Sequence, residues 1–226
     1  MTIAHWIHER VLDIICVFMK IFFESSYQER LDKAIQELEL RSSVEFVTVI
    51  YPQSDDYRDV ELWGGIVLAA IFLVTTFMMP MVIHLYTILL GTFLCFSLGI
   101  GMVKFIPNLK RILINKKRSK RHAEIMARAV FQKAHLYRTS HHTAVLLFVS
   151  VLEQQTALLW DLKVDMELTV DELDDLTKKF QALFDSEQPA ETLLQTIENS
   201  IPLFEACLPI RPNDINELPN HLQVQL

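Results

Sequence analysis

The most apolar stretch of the chain covers residues 62–103 and contains no Asp, Glu, Lys or Arg. An uncharged apolar run longer than about 18 residues predicts a membrane-spanning helix, because about 20 helical residues cross the hydrocarbon core of a bilayer. This run is about twice as long as one span needs, and Met79-Pro80 interrupts helical geometry near its middle. The pattern therefore predicts two spans, residues 62–79 and 83–105, joined by a tight turn.

Small residues in the second predicted span favour close packing of the two helices. Gly91, Gly99 and Gly101 carry no side chain that would hold the backbones apart. Trp63 stands where an aromatic side chain would mark the membrane interface. The alternative interpretation is a very apolar helical hairpin buried in a soluble core.

Residues 1–24 repeat apolar side chains at helical spacing, with Glu9, Arg10, Asp13 and Lys20 between them. This pattern predicts an amphipathic helix that is too short and too charged to span a bilayer. Such a helix would lie in the membrane interface or dock onto protein, and the pattern favours neither. The segment lacks the short basic start and the small-residue cleavage site of a secretory signal.

A soluble domain begins at residue 25, and residues 25–60 form its first part. Residues 25–41 show helical periodicity, and Ser26 with Glu29 fits a capping box. Residues 44–51 are mostly β-branched or aromatic, which predicts a strand. A polar turn then leads into the apolar hairpin.

The second part of the soluble domain covers residues 123–210, after a basic juxtamembrane segment at residues 106–122. Residues 120–137 predict a helix whose basic start continues out of the second span. Residues 143–151 predict a buried strand, and residues 156–162 predict a strand that forms a hairpin with it.

Two further helices follow these strands. Thr169 and Glu172 fit a capping box that opens the first, and Pro189 opens the second. Residues 211–226 are polar and predict a poorly ordered tail.

Basic residues cluster directly after the second span. A hairpin places both of its flanks on one side of the membrane, and an excess of Lys and Arg predicts that this side is the cytoplasm. The chain is thus predicted to be a two-pass membrane protein with both termini cytoplasmic. The cluster is also predicted to contact anionic lipid headgroups; it comprises Lys104, Lys110, Arg111, Lys116, Lys117, Arg118, Lys120 and Arg121.

The overall charge narrows the range of partners. The 226 residues carry 21 Lys and Arg against 28 Asp and Glu, a net charge of −7. This acidic balance argues against a nucleic-acid partner, which would require a basic face. The three cysteines, Cys16, Cys95 and Cys207, are far apart, which argues against a disulfide framework and fits a reducing compartment.

Three short motifs follow one another in a fixed order along the chain. The first is a small residue, a glutamate and an apolar strand, Ser43-Val44-Glu45-Phe46-Val47-Thr48-Val49. The second, at residues 139–150, is a polar turn and an apolar strand that ends in serine, and the third is Asp161 after the next strand. These motifs and their order resemble the TPM domain family. Its bacterial members carry a transmembrane hairpin where this chain has one, after the turn Ser54-Asp55-Asp56-Tyr57, which implies a location in the bacterial inner membrane.

The resemblance implies an α/β (α+β) sandwich, with a small mixed sheet flanked by helices, that a two-helix transmembrane hairpin interrupts. It also implies one of two roles, because some family members are linked to acid phosphatase activity or divalent ions and others to the assembly or repair of membrane complexes. The family's glycines around the aspartate are missing here, since residues 159–164 contain none. Their loss argues against a close backbone approach to a phosphate or a metal.

Carboxylates supply the only candidate metal ligands. Asp55, Asp56 and Asp161 would bind a divalent cation if they converged at the strand ends, because hard cations prefer oxygen ligands. The alternative is a solvated turn and a carboxylate at a strand end. The sequence contains no hydrolase, nucleotide-binding or zinc-protease motif, and we predict no catalytic residues.

Two functional hypotheses remain. The first is a non-enzymatic membrane protein whose cytoplasmic domain binds or assembles a membrane complex, with the lipid bilayer and either a membrane protein or a second copy as partners. The second is a membrane-bound, divalent-ion-dependent enzyme similar to acid phosphatases.

Overall fold

The strands predicted on either side of the apolar hairpin join into one sheet. The computed structural model describes Phe22 and residues 24–80, 83–139 and 141–210. The predicted tail lies outside these residues, as does the predicted amphipathic helix except for Phe22 and Glu24. The described residues divide into two compact units. We call residues 55–118 the hairpin unit, and the residues up to 54 and from 119 onward the sheet unit.

The sheet has three strands: β1 (Glu45–Tyr51), β2 (Ala144–Ser150) and β3 (Gln155–Trp160). β2 is central and pairs with β1 in parallel and with β3 in antiparallel orientation. The connection from β1 to β2 contains the whole hairpin unit. In sequence, β1 therefore precedes the hairpin unit and its parallel partner β2 follows it.

Helices cover both faces of the sheet, because the strand residues alternate between two apolar clusters. One cluster joins Phe46, Leu147 and Leu158 to three long helices and to Val164 of a short one, and the other joins Val49, Phe148 and Ala157 to a single helix. The three helices are α1 (Ser25–Arg41), α7 (Val170–Gln181) and α8 (Pro189–Cys207), and the single helix is α5 (Lys116–Lys133). The predicted class, a small mixed sheet flanked by helices, is confirmed.

The two predicted capping boxes have opposite outcomes. α1 begins after Glu24, and no side chain caps it, so the box predicted at Ser26 and Glu29 is wrong. At the start of α7, the Thr169 hydroxyl accepts from the Glu172 backbone N–H, and the Glu172 carboxylate accepts from the Thr169 N–H at 2.8 Å. This second box is confirmed. Its hydrogen bonds lower the pKa of Glu172 below the usual value of a glutamate.

We expect Thr169→Ala to lower the free energy of unfolding of the sheet unit by about 1 kcal/mol, the typical cost of losing a helix cap. A lowered carboxyl pKa stabilises the folded state above the unfolded pKa, and this contribution disappears as the pH falls through the folded pKa. The difference between wild type and Thr169→Ala should therefore shrink in acid. Urea unfolding at neutral and acidic pH measures both effects, and a constant difference would contradict the second.

The hairpin unit contains two long apolar helices, α2 (Arg58–Met78) and α3 (Leu85–Phe105). Both are long and apolar enough to cross a membrane, and only 17% and 11% of their most apolar segments is buried in the protein. A hairpin inside a soluble core would be mostly buried. Large apolar side chains such as Phe77, Tyr86 and Phe93 instead point outward.

Glycines mark two places where the antiparallel helices α2 and α3 come into close contact. Gly64 and Gly65 face Gly99, with Gly99 so close that an added Cβ would lie 2.6 Å from the Gly64 carbonyl oxygen. Further along, the ring of Phe72 lies over Gly91. Gly101, predicted to share this role, has no atom within 4 Å of the position that a Cβ would occupy.

The segment after α3 differs from its prediction. A single helix was expected to leave the second span, but a short helix, α4 (Pro107–Leu113), separates α3 from α5. Proline restricts the residue before it to extended geometry, and Ile106 accordingly has φ −110° and ψ 93°. A second extended residue, Ile114, separates α4 from α5.

Candidate membrane-surface site

The charged residues of the hairpin unit lie at one end of its helices. Because α2 and α3 are antiparallel, the start of α2, the end of α3, α4 and the first turn of α5 share this end, which we call the polar end. Between residues 62 and 103 the chain has no Asp, Glu, Lys or Arg. The polar end carries seven cations, Arg58, Lys104, Lys110, Arg111, Lys116, Lys117 and Arg118, and four acids, Asp55, Asp56, Asp59 and Glu61.

Arg118 links the start of α5 to the start of α2. Its guanidinium donates to Asp55, with Nη2 at 2.7 Å from Oδ2, and donates to both carboxylate oxygens of Asp59. The two carboxylates raise the pKa of Arg118 above the usual value of an arginine. The guanidinium carbon also lies 5.2 Å from the centre of the Tyr57 ring, within cation–π range.

Lys110 links α4 to α2 through a buried ion pair. Its ammonium donates to Glu61 Oε1 at 2.9 Å, and the two side chains are only 8% and 16% exposed. The same ammonium lies 5.8 Å from the centre of the Tyr57 ring. Tyr57 is buried and precedes α2 with φ +46°, a left-handed conformation that is costly for a tyrosine.

These ion pairs separate the cations of the polar end into two groups. A fourth pair joins Arg58 Nε to Asp56 Oδ2 at 3.1 Å, so every acid of the polar end is bound to a cation. Within the described ranges, four exposed cations have no acid partner: Lys104, Arg111, Lys116 and Lys117. The sequence pattern predicts the same contact with lipid headgroups for all eight membrane-surface residues. Lys110 and Arg118 instead bind carboxylates, and Lys120 and Arg121 lie exposed in the sheet unit.

We expect Arg118→Gln to lower the free energy of unfolding of the hairpin unit by about 1–2 kcal/mol, because it removes a charged network rather than a single surface pair. Lys116→Gln, two residues earlier, should leave this quantity within about 0.5 kcal/mol of wild type, as surface changes usually do. Detergent-denaturation midpoints of the two purified variants provide the measurement. Equal midpoints would show that the network adds no stability.

The three candidate metal ligands each have another partner. Asp55 and Asp56 belong to the hairpin unit and bind Arg118 and Arg58. Asp161 belongs to the sheet unit, where it caps helix α6 (Leu162–Glu167) by accepting from Leu162 N–H at 2.8 Å and lies 3.0 Å from His142 Nδ1. Over the parts of the chain that the structure describes, no group of three His, Cys, Asp or Glu is arranged to hold a metal.

A buried carboxylate that the sequence did not single out lies in the β2–β3 turn. Glu153 accepts hydrogen bonds from the Ser54 backbone N–H and hydroxyl, both at 2.7 Å, and from the Ser150 hydroxyl. All three residues are at least nine-tenths buried. The carboxylate thus joins the ends of the parallel strands β1 and β2. A single glutamate in a predicted hairpin turn gives no sequence signal for this role.

The comparisons with known proteins bear on the fold alone. No protein-family model and no curated protein matches the chain. The solved NMR structure of the BA42 protein from the psychrophilic bacterium Bizionia argentinensis is similar, with a TM-score of 0.56 and 15% sequence identity. The match covers 89% of this chain and 94% of BA42. At this identity the likeness supports a shared fold and carries no information about function.

Proposed function

We propose that this chain is a two-pass protein of the bacterial inner membrane whose TPM-like sheet unit, in the cytoplasm, binds and assembles a membrane complex. The observation that carries this proposal is a group of three exposed apolar side chains, close together in sequence, on the sheet unit. Leu162 and Met166 lie about one turn apart on α6 (Leu162–Glu167) and Val170 begins α7, and the three are 57%, 72% and 75% exposed. Exposed apolar side chains set among charges are typical of sites where another protein binds.

The topology supports the membrane part of the proposal. The parallel strands β1 and β2 are adjacent, although two membrane-length helices separate them in sequence. A pair of spans returns the chain to the side from which it started, which lets the two strands meet without a further crossing. The unpaired cations of the polar end favour the cytoplasmic side for both termini.

Copurification in mild detergent tests the binding surface. The full chain carrying Met166→Asp and Val170→Asp should lose a membrane partner, or a second copy, that the wild type retains. Leu40→Asp, which changes an equally exposed apolar residue on α1, is the matched control and should retain it. If both variants retain the partner, or the wild type has none, the proposed role is wrong.

A reporter fused after Leu226 tests the topology separately. A cytoplasmic signal is expected, and a signal from the opposite side of the membrane would overturn the orientation while leaving the binding surface to its own test.

The second hypothesis, a divalent-ion-dependent phosphatase, is tested by Asp161→Asn. Asparagine caps helices about as well as aspartate, so this variant keeps the start of α6 but removes a charged metal ligand. We expect the wild type with Mg²⁺ to hydrolyse a generic phosphate ester no faster than Asp161→Asn does. Turnover by the wild type that the variant lacks would favour the enzyme.

A further inference from the structure

An apolar cleft of about 430 Å³ opens at the polar end of the hairpin unit, within the size range of small-molecule sites. Its walls come from three helices of that unit. α2 contributes Val60, Trp63, Gly64, Val67 and Leu68, α3 contributes Gly99, Met102 and Val103, and α4 contributes Leu109 and Leu113. Gly64 and Gly99, where the backbones of α2 and α3 come into contact, belong to this lining.

The position of the cleft fits a lipid better than a helix of another protein. It covers just over two turns of α2, from Val60 to Leu68, or roughly 12 Å at 1.5 Å per residue. A partner helix would pack along the length of the hairpin, whereas this cleft is confined to its end. Trp63, an aromatic residue typical of the interface, forms part of its wall.

Charge identifies the class of lipid. The four acids of the polar end are already bound by Arg58, Lys110 and Arg118. Lys104 follows the cleft residue Val103, and Arg111 lies between the cleft residues Leu109 and Leu113. Lys116 and Lys117 follow in the first turn of α5. The cleft therefore opens at the same end of the hairpin unit as four cations that lack acid partners within that unit as described, and their charge complements an anionic headgroup.

We infer that this cleft binds one acyl chain of an anionic phospholipid, whose headgroup phosphate is held by Lys104, Arg111, Lys116 and Lys117. This inference rests on the membrane insertion included in the proposed function, but not on any protein partner. The ion pairs of Lys110 and Arg118 then have a defined role: they fix α4 and the first turn of α5 against α2 and so maintain the wall of the site.

Native mass spectrometry of the full chain in mild detergent, with equal amounts of phosphatidylglycerol and phosphatidylcholine added, tests the inference. We expect the protein to retain one phosphatidylglycerol and little phosphatidylcholine. Val67→Phe should fill the cleft and remove the bound lipid. Val74→Phe, an identical change at an exposed position of α2 outside the cleft, is the matched control and should retain it.

The headgroup contacts are tested with Lys104→Gln and Arg111→Gln. Each should lower the preference for phosphatidylglycerol about five-fold, the effect expected for one cation near an anionic surface. Lys178→Gln, an exposed cation on α7, should not change it. These variants keep the acyl site, so their lipid binding should fall toward that of phosphatidylcholine rather than to zero.

Four results would overturn the inference. These are equal retention of both lipids, loss of lipid in both phenylalanine variants, retention in both, and replacement of lipid by a second copy of the chain as protein concentration rises. None of them affects the proposed function, which the copurification and the reporter fusion test independently. If sodium carbonate extracts the chain from membranes, insertion itself fails, and the lipid site and the proposed topology fall together.

Discussion

Gly99→Val is expected to separate the two helices of the hairpin unit near their polar end. A Cβ at position 99 would lie 2.6 Å from the carbonyl oxygen of Gly64 and 2.8 Å from the Cα of Gly65. Both are backbone atoms, so no rotamer change can relieve the contact and α2 must move as a whole. Overpacking of this kind costs about 1–3 kcal/mol, and we expect a value near the upper limit because the backbones themselves collide.

Gly101→Val is the matched control, because it lies on the same helix and has open space where its Cβ would be. Disulfide formation reports on the helix contact. Leu68 lies midway between Gly64 and Phe72 on α2, and Cys95 lies midway between Gly99 and Gly91 on α3. Leu68→Cys, in a chain that also carries Cys16→Ser and Cys207→Ser, should therefore form a disulfide with Cys95.

Gly99→Val should slow this crosslink at least about ten-fold. A ten-fold change corresponds to a free-energy cost of about 1.4 kcal/mol for bringing the two helices into contact. Gly101→Val should leave the rate unchanged. Equal rates in the two variants would mean that the close contact between Gly64 and Gly99 does not hold the hairpin together.

The elements that the sequence predicted best are those whose signals are local and strong. The capping box at Thr169 and the helix start at Pro189 appear at the predicted residues, because a cap or a proline fixes the backbone through its immediate neighbours. The hairpin followed from the absence of charge over residues 62–103. β1 and β2 are each one or two residues shorter than predicted.

The errors arise where two local signals compete. At the start of α1, Ser26 and Glu29 have the spacing of a capping box, but the helix already begins at Ser25, so Ser26 lies within the first turn. After α3, helical periodicity continued through the basic segment, and the restriction that Pro107 imposes on Ile106 outweighed it. α6 was not predicted, although Asp161 is a typical cap residue, because the helix has only six residues.

The polar end shows why a sequence can indicate a candidate site without resolving it. Counting cations located the cluster, but the separation into paired and unpaired groups depends on contacts between residues far apart in sequence. Glu61 reaches Lys110, and Asp59 reaches Arg118, only after the hairpin brings its two ends together. Tyr57 gave no signal because a left-handed tyrosine beneath two cations is a consequence of the fold.

Glu153→Ala is expected to lower the free energy of unfolding of the sheet unit by about 3–5 kcal/mol. Removing the carboxylate leaves the Ser54 N–H, the Ser54 hydroxyl and the Ser150 hydroxyl without the acceptor that they share. Hydrogen bonds to a charged group contribute about 1.5–3 kcal/mol each, and they are not fully additive when one side chain makes them all. The cost is large because every group involved is buried and water cannot replace the lost acceptor.

Urea unfolding in mild detergent, followed by the fluorescence of Trp160 in β3, measures this effect. Glu187→Ala removes an exposed glutamate from the same unit and should change the free energy by no more than about 0.5 kcal/mol. Glu153→Gln keeps one oxygen to accept from Ser54 and gains an amide that can donate to the Ser150 hydroxyl, so it should recover about half of the loss. If Glu153→Ala unfolds like Glu187→Ala, the carboxylate does not hold the ends of β1 and β2 together, and their junction depends on strand pairing alone.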